Sequence, residues 1–151
     1  QRTFFDCSLT VVGGIMGLDC YVMKGNRDEV FKDDRLDDLT LVGGLFSGHG
    51  NGSFRGGCYE EFVAHLTASS PGFWHLEKDE VIQTDELRVY GLLLREYLED
   101  TGLINMPDYH KFEWSKPSSR GTYEYRVKEI KDLATLFEVA AEHNCVMEAW
   151  W

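Results

Sequence analysis

The chain has 151 residues, 43% hydrophobic and 27% charged, and carries 9 Phe, 7 Tyr and 4 Trp. That size and composition predict a single folded domain over 1–151 with a sizeable core, and they exclude a disordered chain. The formal net charge of −11 argues against nucleic acid as a general partner and against anionic membrane surfaces, because both are held largely through Lys and Arg; it permits a basic protein partner, and it also serves solubility.

In chain order, Phe4 to Val12 predicts a strand, with Phe5, Cys7, Leu9 and Val11 alternating with Asp6, Ser8 and Thr10. Gly13-Gly14 breaks it, and Leu18 to Lys24 predicts a second strand that could pair with the first as a hairpin. Arg27 to Asp38 is a charged loop or short helix. Its acids lack the spacing and the glycine of a calcium loop, so no metal site is expected there. Leu39 to Phe46 leads into a glycine-dense segment, 43–58, and Tyr59 to Leu66 has helical spacing.

The clearest helix is Asp85 to Thr101, with Thr84 as N-cap, Leu87, Tyr90, Leu94, Tyr97 and Leu98 as its buried stripe, and Gly102 at its left-handed end. Tyr109 to Trp114 and Tyr123 to Lys128 are strands about a Ser-, Pro- and Gly-containing turn. Asp132 reads as the cap of a helix from Leu133 to His143, ended by Asn144, and Cys145 to Trp151 as a final strand. The sum is an α+β fold: a mainly antiparallel sheet with two principal amphipathic helices packed on one face. A parallel pairing of the last two strands would require a right-handed crossover.

Cys7, Cys20, Cys58 and Cys145 form no CxxC motif. They are read as buried free thiols in a reducing compartment, which gives a cytoplasmic expectation; two disulfides are the alternative. No run of about 18 apolar residues and no secretory leader is legible.

The segment 43–58 is the candidate site. Cys58 follows Gly56-Gly57 at the predicted start of a helix, where a thiolate is stabilised, and Arg55 would add to that effect. Cys58 would be the nucleophile, with His49 or His65 as base. Ser47, Asn51, Ser53 and Arg55 would contact a ligand or anion. The alternative is that Cys58 packs beneath a loop and the glycines only make turns.

Several motifs are absent. The glycine run holds no lysine and so is no P-loop, and its glycines miss the dinucleotide-binding spacing. Ser53 is not in a nucleophile elbow, His65-Leu66-Thr67 is a single His-x-Thr, and the histidines form no zinc-binding pair. No cofactor is expected.

Trp150 and Trp151 would face opposite sides of a strand, as packing residues or with one as a protein-binding anchor. Two functions follow as expectations. One is a binding or inhibitor protein of the immunity type, directed at a basic protein. The other is a ligand-binding protein or hydrolase built on the glycine run.

Overall fold

The structure, a computed structural model, describes residues 3–5, 19–27, 29–36, 39–41, 54–67, 81–115 and 121–150. The strands are β1 (Thr3–Phe5), β2 (Asp19–Met23), β3 (Phe54–Arg55), β4 (Lys111–Trp114), β5 (Gly121–Arg126) and β6 (Val146–Trp150). The helices are α1 (Gly56–Thr67), α2 (Thr84–Asp100) and α3 (Val127–Glu142), and Asp34–Leu36 and Leu103–Asn105 form single 3-10 turns. The fold class is α+β, as the strand and helix pattern predicts.

The strands form two sheets, ordered β1-β5-β4 and β3-β2-β6. Pairing is antiparallel except between β1 and β5, which run parallel with Thr3 opposite Gly121. The expected hairpin between the first two strands is therefore not formed by β1 and β2, which lie in different sheets. The last β-α-β unit is divided in the same way: α3 carries the chain from β5 in one sheet to β6 in the other, so no parallel crossover arises.

Helix boundaries follow the local chemistry, with two corrections. Thr84 is not the N-cap of α2; that position is Gln83, and the Thr84 hydroxyl donates to the Cys145 carbonyl at 2.6 Å, tying the helix to the entry of β6. Asp132 does not begin α3, which starts at Val127, where the expected strand from Tyr123 to Lys128 has already given way to helix. The Asp132 carboxylate instead accepts from the Thr40 backbone N–H and hydroxyl, both at 2.8 Å, and from Lys128. It caps a neighbouring loop rather than its own helix. Gly102 (φ 76°) and Asn144 (φ 55°) do take the left-handed conformation beyond α2 and α3.

One apolar cluster draws on both sheets and all three helices. Leu87, Tyr90, Leu94 and Leu98 of α2 face α3, whose Ile130, Leu133, Leu136, Phe137 and Ala140 are buried. Gly91 lets the two helices approach: a β-carbon there would stand 3.0 Å from Glu138 Cγ. Arg95 of α2 closes the flank with Glu138 (2.7 Å) and Thr135 (3.0 Å) of α3. Aromatic rings fill the space between α1 and the first sheet, where Phe62 meets Tyr97, Trp114 and Tyr125 with centroids 4.9–5.4 Å apart.

Candidate functional site

The first turn of α1 is where the described residues reach the glycine segment. Ser47, His49, Asn51 and Ser53 lie outside the described residues, as do Cys7 and Trp151. Arg55 is in β3, its backbone paired with Asp19. Cys58 falls in the first turn of α1, as its position after Gly56-Gly57 predicts. It forms no disulfide and is 3% exposed. Cys20 and Cys145 are likewise buried and in no disulfide; burial pushes the Cys145 thiol up to about 11.

The geometry does not bring His65 to Cys58. The two are on one helix, seven residues apart, or ~10 Å along its axis at 1.5 Å per residue. His65 is exposed in the last turn, its ring 5.6 Å from that of Trp114. Of the proposed bases, then, the described one is beyond proton-transfer reach of this thiol.

What surrounds the start of α1 is a polar cluster that the sequence reading passed over. The Tyr125 hydroxyl donates to the Cys58 carbonyl at 2.6 Å, within the buried interior. The Tyr59 hydroxyl donates to Glu129 Oε1 at 3.0 Å, and the Arg126 backbone N–H to Glu129 Oε2 at 2.7 Å. Burial raises the Glu129 carboxyl above its ordinary value, against the lowering effect of those two donors. The rings of Tyr59 and Tyr125 stack at 5.6 Å. The signal available in the sequence was Glu129 itself, three residues after the strand end at Arg126, in the place of a residue that binds back to a helix start.

A second polar group fastens the charged 29–36 segment to the end of α3. Asp33 accepts from Arg35, which also reaches Glu142 at 2.8 Å and His143 Nε2 at 2.9 Å. Hydrogen bonds from Arg35 hold the Asp33 carboxyl below its usual range. Phe31 packs its ring 5.0 Å from that of His143. Among the described residues, no group of three or more His, Cys, Asp or Glu is placed to hold a metal ion. No described helix is long and apolar enough to cross a membrane.

Among the described elements the acid excess is largest on α2, which carries Asp85, Glu86, Glu96, Glu99 and Asp100 against Arg88 and Arg95. Arg88 pairs with Asp85 at 2.6 Å, and Arg95 is drawn aside to Glu138. Glu96, Glu99 and Asp100 are exposed and have no ion-pair partner among the described residues.

The described residues thus form an α+β fold of two three-stranded sheets and three helices, of which α2 is acidic on its exposed side. Comparison with known proteins finds no matching family, and no significantly similar curated protein or solved structure.

Proposed function

We propose that the protein acts by binding a basic protein partner, as an inhibitor of the immunity type does, and not by catalysis. The observation that carries this reading is the net charge of −11, with uncompensated carboxylates at the surface of α2. Carboxylates so displayed steer a cationic partner into encounter and suppress acidic ones.

The test is to co-purify the protein with its partner and measure the association rate of the purified pair across ionic strength. A basic partner whose association slows steeply with added salt is the expected result. An acidic partner, or a rate indifferent to salt, would remove the reading.

The second reading, a ligand site or hydrolase with Cys58 as nucleophile, is supported by the position of Cys58 in the first turn of a twelve-residue helix. Against it stand the burial of the thiol and the distance of His65. Thiol alkylation at neutral pH decides between the two. The binding reading expects Cys58 to react only after denaturation, whereas prompt labelling of native Cys58 would favour the nucleophile.

A further inference from the structure

We propose that the solvent face of α2 is the docking surface for that partner, and that the partner covers it with an apolar side chain flanked by lysines or arginines; the proposal rests on the binding reading above. Asp85, Val89, Leu92, Glu96 and Glu99 follow one another at spacings of four and three, which is one stripe along a helix. Fourteen steps of 1.5 Å from Asp85 to Glu99 make that stripe ~21 Å long. It lies opposite the buried line of Leu87, Gly91, Leu94 and Leu98. Val89 is 48% exposed and Leu92 58%, and both are among the few large apolar side chains left so open among the described residues. The stripe therefore has an apolar centre, with Asp85 paired to Arg88 at one end and the unpaired Glu96 and Glu99 at the other, the arrangement of an anchor and its polar rim.

The acidic end is also placed against the preference of the free helix. The C-terminal turn of α2 has no basic residue, and it carries Glu99 and Asp100 where the helix dipole favours cations. Glu96 and Asp100 stand four apart, a like-charge pair that opposes helix formation. Arg95, the cation that could relieve them, is committed to α3. A cationic partner supplies the missing counter-charge.

The experiment uses the whole chain and two synthetic helical peptides of equal positive charge. One is made of lysine and leucine with the leucines on one face, the other of lysine and serine. Backbone resonances are followed during titration at low salt. The lysine–leucine peptide is expected to perturb residues 85–100 and to bind at least about tenfold more tightly than the lysine–serine peptide. Replacing Val89→Ala and Leu92→Ala, which keeps helix propensity, should abolish that gap. Glu96→Lys with Glu99→Lys should weaken both peptides while raising Tm, because the substitutions suit the free helix end. A merely structural role for these acids would not move affinity and stability in opposite directions.

Perturbation confined to another surface, or equal binding of the two peptides, overturns the assignment to α2 and leaves the charge-driven reading standing. Failure of both peptides to bind overturns both. Self-association of the chain that the two alanine substitutions abolish overturns the choice of partner.

Discussion

A β-carbon built on Gly25 would stand 2.8 Å from the carbonyl oxygen of Asn144. That oxygen belongs to a backbone already fixed in the left-handed region, with its N–H bonded to Ala141. Gly25→Ala is therefore expected to lower unfolding free energy by about 1–3 kcal/mol. Gly91→Ala is expected to stay within about 1 kcal/mol of the parent. Its near neighbour is a side chain that can swing, and alanine recovers helix propensity of about that size. Urea unfolding of the two variants checks the contrast, and equal losses would refute it.

Glu129 carries a pH dependence whose sign follows from its raised carboxyl. The folded protein holds the proton more tightly than the unfolded chain does. The stabilisation this gives is full below the unfolded value of 4.5 and is lost as pH rises through the higher folded value. Relative to Glu129→Gln, the parent should therefore lose stability from about pH 4.5 upward. Asp33 acts in the opposite sense: its contribution is present above 3.8 and lost as pH falls through its depressed folded value. Chemical denaturation of parent and Glu129→Gln across that range, compared as a difference, isolates the Glu129 contribution.

At the scale of elements, α2 was legible almost to the residue. Its stripe has helical period and its end has a left-handed glycine, and both signals are local. The start of α3 was not. Asp132 resembles a cap in sequence, but its carboxylate serves Thr40, which is 92 residues away along the chain. Asp132→Ala should cost about 2–3 kcal/mol, since it strands a backbone N–H, a hydroxyl and a lysine that were bonded to one charged group. The specific sign is faster hydrogen exchange at the Thr40 amide; a variant that loses stability without it would deny the contact this role. Strand pairing was illegible for the same reason. Alternation puts Cys20 and Val22 on one face of their strand, which the structure buries, yet nothing in the spacing says that β2 pairs with β6 rather than with β1. In the candidate site, the place of Cys58 in a first turn was readable from Gly56-Gly57. The Tyr59–Glu129 bond, which spans 70 residues, was not.

For the whole molecule, two properties stand apart. Charge sets how it meets other molecules. With 26 acids against 15 bases, self-repulsion opposes compaction, and modest added salt should raise Tm as it screens that repulsion. Cohesion comes from the shared apolar interior, and there α3 has a consequence of its own. It runs without interruption from the end of β5 to the approach to β6, with Val127, Ile130, Leu133, Leu136, Phe137 and Ala140 all inside. Neither sheet can open its inner side without exposing part of that rod to water. Interior amides as far apart as Val22 and Tyr125 should accordingly reach the same limiting protection under native conditions. The two sheets would then melt as one unit, with no half-molten state in which either survives the other.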